Sequence, residues 1–154
     1  MISLLKKLSK TGLPIISCSG FPIPKTLKIP KMIRRKMIDV QNLDRYEKVL
    51  YKIPEATFIF AHGGCMQNEK LIELMIKFPN TYTDISTQPP INIRRMIDKI
   101  GSQRLLFGSD YPVFNQSFPI VAVLRATENE KDRKAIFAEN AKKVLSLNNK
   151  PHFA

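Results

Sequence analysis

Cysteine, histidine and acidic side chains are all scarce in this sequence of 154 residues, and it contains no long apolar run. Two cysteines, Cys18 and Cys65, cannot build a disulfide scaffold. With no secretory context they read as reduced thiols of a cytoplasmic protein. No segment approaches the roughly 18 apolar residues of a membrane helix, which argues against a membrane protein. Ile15-Ile16-Ser17-Cys18 has the outline of a lipoprotein cleavage site, but Lys10 interrupts the preceding apolar stretch and Gly12 and Pro14 break the rest. What remains falls short of the roughly 7 to 15 apolar residues of a signal core.

The shortage of acid leaves 13 acidic against 25 basic residues, a net charge of +12. Residues 1–50 hold 11 basic and 3 acidic side chains, whereas 51–154 hold 14 and 10, so the excess sits mainly in the first third. Its densest part is Lys25, Lys28, Lys31, Arg34, Arg35 and Lys36, inside a proline-containing stretch, 21–41, that reads as a basic loop insertion. Such a loop offers an electrostatic surface to an anionic partner. No aromatic residues interleave with the charges to stack bases and no nucleic-acid motif accompanies them, which favours a solvated loop over a nucleic-acid surface.

What is present is ordinary globular material, 44% hydrophobic and 25% charged, enough for a single domain over 1–154. Two kinds of segment alternate. Residues 2–9 carry Ile2, Leu4, Leu5 and Leu8 against Lys6, Lys7 and Lys10, an amphipathic helix with Gly12 as its stop. Leu13–Ser17 is a short apolar run bounded by Pro and Gly, which predicts a strand buried on both faces. Helices are predicted over 42–52, capped by Asn42, and over 68–78, 91–100, 117–127 and 131–146; strands over 57–61, 81–85 and 104–107. Successive strands from the second onward are about 24 residues apart, the length of one βα unit, so the fold class is α/β with parallel strands and flanking helices.

The strands end in Ser17-Cys18-Ser19-Gly20, His62-Gly63-Gly64, Thr83-Asp84-Ile85-Ser86 and Gly108-Ser109-Asp110-Tyr111-Pro112. In parallel α/β folds chemistry gathers at these carboxyl ends, because the loops there converge. A single histidine in such a place is ordinarily a hydrogen-bonded structural residue, and Asp84 alone reads as a cap or turn residue. His62 and Asp110 together, on strands of one sheet, point to a site.

Four stretches resemble successive landmarks of the amidohydrolase-related family, the metal-dependent TIM-barrel hydrolases and decarboxylases of the amidohydrolase superfamily. They are Phe58-Ile59-Phe60-Ala61-His62-Gly63-Gly64, Tyr82-Thr83-Asp84-Ile85-Ser86, the run from Arg104 through Gly108-Ser109-Asp110-Tyr111-Pro112, and Glu139-Asn140-Ala141 ahead of the last helical turns. The resemblance implies that Asp110 matches the strand-eight aspartate that contacts metal and manages the attacking water. It implies that His62 matches the strand-six histidine, a metal ligand or a polariser of substrate or water. The strand-five metal-binding histidine falls on Cys18, which either ligates zinc as a thiolate or is a small residue in a site that has lost its metal. The implied cofactor is a divalent metal, zinc first, which activates water and polarises a substrate.

The family's strand-one His-x-His pair has no counterpart here; the other histidine, His152, is near the chain end. A complete (β/α)8 barrel takes about 250 residues, and the landmarks present belong to strands five to eight. The expectation is therefore a truncated domain, the C-terminal half of a TIM barrel: the product of a split or truncated gene, a half paired with a second half-barrel chain or forming a homodimer, or an open sheet. As an enzyme it would act on a small carboxylated, amide or ester substrate by metal-activated water once its site is completed, and be inactive alone otherwise. The alternative is a non-catalytic binding or assembly module that uses the basic loop to hold an anionic partner.

Overall fold

The computed structural model describes residues 2–19, 30, 32–33 and 43–146. Apart from Pro30, Met32 and Ile33, the stretch expected as a basic loop over 21–41 lies outside the described residues, as do the cap expected at Asn42 and His152. The elements run α1 (Ile2–Ser9), β1 (Ile15–Cys18), α2 (Leu43–Lys52), β2 (Phe58–Ala61), a 3-10 segment (His62–Gln67), α3 (Asn68–Lys77), β3 (Thr81–Asp84), α4 (Pro90–Ile100), β4 (Leu105–Leu106), α5 (Ser117–Ala126), α6 (Glu130–Lys134) and α7 (Asn140–Val144). The strands form one parallel sheet in the order β1-β2-β3-β4, in register Ile15 to Phe58, Phe58 to Thr81 and Thr83 to Leu105. Parallel neighbours need crossover connections, which α2, α3 and α4 supply.

Strand alternation assigns the two faces. Phe58, Phe60 and Leu105 turn toward the helices and are buried against Leu71 and Met75 of α3, Ile93 and Met96 of α4, Val123 of α5 and Ile136. Full burial of such side chains contributes roughly 1.5–3 kcal/mol each. Tyr46 adds an edge-on contact to Phe60, ring centroids 5.2 Å apart. In α4 the buried residues Ile93, Met96 and Ile100 recur at helical spacing, Pro90 occupies the first turn, and Gly101 (φ 80°) ends the helix by donating its N–H to Ile97 O.

The first strand departs from expectation. It is not buried on both faces: Ile15 packs on the core, but Ile16 is 68% exposed. Position is the reason. β1 is an edge strand paired only with β2, and its outward-alternating side chain has no covering layer among the described residues. β4, at the other edge, is two residues long rather than four, because Arg104 belongs to a 3-10 turn (Ser102–Arg104).

The helix expected over 131–146 is interrupted by a π turn, Ala135–Glu139, between α6 and α7. There the Asn140 N–H bonds to Ala135 O instead of to Ile136 O, and the freed Ile136 carbonyl accepts the Phe107 N–H at 2.9 Å. The Asn140 side chain, buried, donates to Ser102 O and Leu105 O at 2.8 and 2.7 Å. Together these bonds fix the chain leaving β4, and so the segment that carries Asp110. No helix among the described residues is long and apolar enough to cross a membrane.

Candidate active site

The carboxyl ends of the four strands lie at one edge of the sheet. β2 runs into His62-Gly63-Gly64-Cys65, where all four residues have positive φ (64°, 55°, 70° and 48°). A run of left-handed conformations turns the chain sharply and leaves its carbonyls without helical partners, so side chains bond them instead. Buried Gln88 donates from Nε2 to His62 O at 2.7 Å and to Cys65 O at 3.4 Å, and Asn92 donates to Gln88 Oε1. Asn68 donates from Nδ2 to Gly63 O at 2.9 Å. Glycine is needed at 63, since a β-carbon there would come within 2.4 Å of Gln88 Cγ.

Asp84 and Ser86 hold His62 from the adjacent strand end. Asp84 Oδ1 accepts the His62 N–H at 3.2 Å, the Ser86 N–H at 2.9 Å and a short hydrogen bond from Ser86 Oγ. Ser86 Oγ is in turn 2.8 Å from His62 Nδ1. Asp84 is thus a turn residue, as a lone aspartate suggests, but it does not cap the next helix: α4 starts after Pro89 without a side-chain cap. Its carboxylate links two strand ends.

Asp110, five residues beyond the start of β4, also has positive φ (57°), a conformation Asp tolerates better than most residues. Its carbonyl accepts the N–H groups of Val113 and Phe114, which closes the turn that presents it. Cys18 ends β1; its carbonyl accepts the Tyr46 hydroxyl at 3.1 Å, and the next residue, buried Ser19, ties β1 to β2 through Ala61 O. Cys18 is exposed, but partial desolvation of its thiol raises its pKa, and the nearby Cys65, Asp110 and Asp84 raise it further. The Cys65 thiol is pushed up chiefly by burial, with a contact to Thr87 opposing and the charges of Asp110 and Asp84 adding. Groups from all four strand ends therefore lie within electrostatic range of one another.

These groups converge without making a metal site by themselves. Among the described residues, no three or more His, Cys, Asp or Glu side chains are placed to hold a metal ion. Cys18, expected in the place of a ligand, stands exposed at the end of β1. A catalytic zinc ordinarily takes three protein ligands, so the donors present here do not fit that ion unaided. The pairing of His62 with Ser86 and the clamp from Gln88 were not foreseen from the sequence. The Asp-x-Ser spacing at the end of β3 signals the Asp84–Ser86 bond, because it is the pattern of a side chain bonding two residues ahead; nothing marked the pairing with His62 or Gln88.

The family model described as Amidohydrolase matches residues 2–147. No curated protein matches the chain. Among solved structures, an uncharacterized TIM-barrel protein from Bordetella bronchiseptica is similar at 18% identity and TM-score 0.73, covering 96% of this chain and 50% of that one. A 2,6-dihydroxybenzoate decarboxylase from Rhizobium is similar at 18% identity and TM-score 0.70, covering 96% and 55%. A dihydroxybenzoic acid decarboxylase from Polaromonas sp. with bound manganese and the inhibitor 2-nitroresorcinol is similar at 18% identity and TM-score 0.68, covering 99% and 56%. The chain thus spans about half the length of the solved structures it matches, and the shared fold is half of a TIM barrel.

Proposed function

Because the chain belongs to the amidohydrolase family, we propose that it is the strand-five-to-eight half of a metal-dependent hydrolase or decarboxylase acting on a small carboxylated substrate. One observation carries this: His62 is held through both its backbone N–H and its ring by Asp84 and Ser86, within the same cluster of strand ends as Asp110. In this reading His62 and Asp110 bind and move protons at the reacting group. The remaining metal ligands come from a complementary half barrel carrying strands one to four, on the same polypeptide or on another. A divalent ion supplies activated water or a polarised substrate when the site is complete.

Two features support a missing half. Ile16 on the β1 edge is uncovered among the described residues, and α5 exposes Phe118, Val121 and Leu124 alongside its buried residues. Unpaired strand edges and apolar surface of this kind are normally covered in a stable assembly. The dihydroxybenzoate decarboxylases among the similar structures support a carboxylated aromatic substrate. The small number of cysteines supports a cytoplasmic setting.

Equilibrium dialysis against zinc and manganese tests the reading. The chain alone is expected to bind either ion weakly and below stoichiometry, and His62→Ala or Asp110→Ala should abolish that binding. Binding that survives both substitutions would remove these residues from any metal site.

A further inference from the structure

Serine 86 decides which nitrogen of His62 carries the proton. Three donors converge on Asp84 Oδ1: the backbone N–H groups of His62 and Ser86, and the Ser86 hydroxyl. An oxygen receiving three donors is the acceptor in each, so the single Ser86 hydroxyl proton is committed to Asp84. Ser86 Oγ, 2.8 Å from His62 Nδ1, then has only a lone pair to offer the ring. A hydrogen bond at that distance requires the proton to sit on Nδ1. Ser86 is 2% exposed, so bulk water does not compete for either bond.

We infer that Ser86 is a positioning residue that locks neutral His62 in the Nδ1–H tautomer and leaves Nε2 unprotonated. Backbone geometry reinforces the lock. The His62 carbonyl is held by Gln88 and its N–H by Asp84, so the residue is fixed on both sides while the ring is fixed through Nδ1. Nε2 has no hydrogen-bond partner among the described residues.

The consequence is chemical. An unprotonated Nε2 accepts: it takes a proton from a water or hydroxyl, or coordinates a cation, and it does not donate to a carbonyl oxygen while the ring is neutral. The opposite tautomer would reverse these roles. The inference deepens the proposed function, resting on His62 as a site residue and naming what its ring presents there.

Long-range proton–nitrogen NMR on the whole chain, labelled at histidine nitrogen, reads the tautomer directly. The sequence has two histidines, and His152→Gln removes the second signal. Above the histidine titration range, the wild-type His62 spectrum should show a protonated Nδ1 and an unprotonated Nε2. Ser86→Ala should lose this preference in favour of Nε2–H. Asp84→Ala, which releases the serine proton to donate toward the ring, should do the same. An Nε2–H tautomer in the wild type overturns the inference even if both variants fail to fold, and so does an unchanged Nδ1–H tautomer in folded Ser86→Ala. The spectrum needs neither metal nor substrate. Failure here therefore leaves the dialysis result standing, and absence of metal binding leaves the tautomer standing.

Discussion

Gly108 leaves the space that the Asp84 carboxylate fills: a β-carbon at 108 would stand 2.9 Å from Asp84 Oδ1 and 3.0 Å from Cγ. The Gly-Ser-Asp run after β4 is therefore coupled by a close approach to Asp84 at the end of β3, and through it to His62 at the end of β2. Gly108→Ala should push Asp84 off its three donors, costing roughly 1–3 kcal/mol as overpacking does. Urea unfolding measures the loss, and the His62 nitrogen spectrum should change with it. An unshifted midpoint would mean the carboxylate moves aside freely.

Asn140 is the second link between the end of the chain and β4. Asn140→Ala removes two donors from Ser102 O and Leu105 O, and a buried carbonyl left without a partner costs about 1–3 kcal/mol. A urea midpoint within experimental error of wild type would show that water or a neighbour replaces the amide.

Two glycines with nearly equal φ separate backbone strain from crowding. Gly12 has φ 72° and open space where a β-carbon would go; Gly64 has φ 70° but a β-carbon there would lie 2.7 Å from Leu71 Cβ. Gly12→Ala should cost about 1–2 kcal/mol, the left-handed penalty alone. Gly64→Ala should cost distinctly more in the same unfolding assay. Equal losses would refute the crowding at 64.

The thiols give a pH dependence. Both Cys18, exposed at the end of β1, and half-buried Cys65 have pKa values raised above the ordinary 9.0, first by partial desolvation of the thiol, an effect that solvent weakens at Cys18. At a given pH the folded chain carries less thiolate than the unfolded chain, so iodoacetamide should label it more slowly near neutrality. The rate should climb only as pH rises through and beyond 9.0. The folded state holds these protons more tightly, so their contribution to stability is intact at neutral pH and is lost as pH rises through the raised folded values. Labelling as fast as in urea would contradict the raised values.

The parallel α/β pattern was legible because β1, β2 and β4 are short apolar runs and helices such as α4 bury residues at spacings of three and four, as Ile93, Met96 and Ile100 do. Those periods follow from backbone geometry and need no partner to be read. His62 and Asp110 were legible as candidates because each follows a strand beside glycine. The exposed face of Ile16 was not legible: the same apolar run reads as buried whether or not a neighbour covers it.

Sequence alone determined the local periods, the glycines that permit the turns, and the chemical types available at the strand ends. Only the tertiary structure decided that Asp84, Ser86 and His62 form one hydrogen-bonded unit, that Gln88 holds the His62 carbonyl, and that no metal-binding trio assembles among the described residues. The physical reason is range. Periodicity and turn preference act over a few residues along the chain, whereas a hydrogen bond between His62 and Ser86 joins groups 24 positions apart, and parallel register alone brings them within reach.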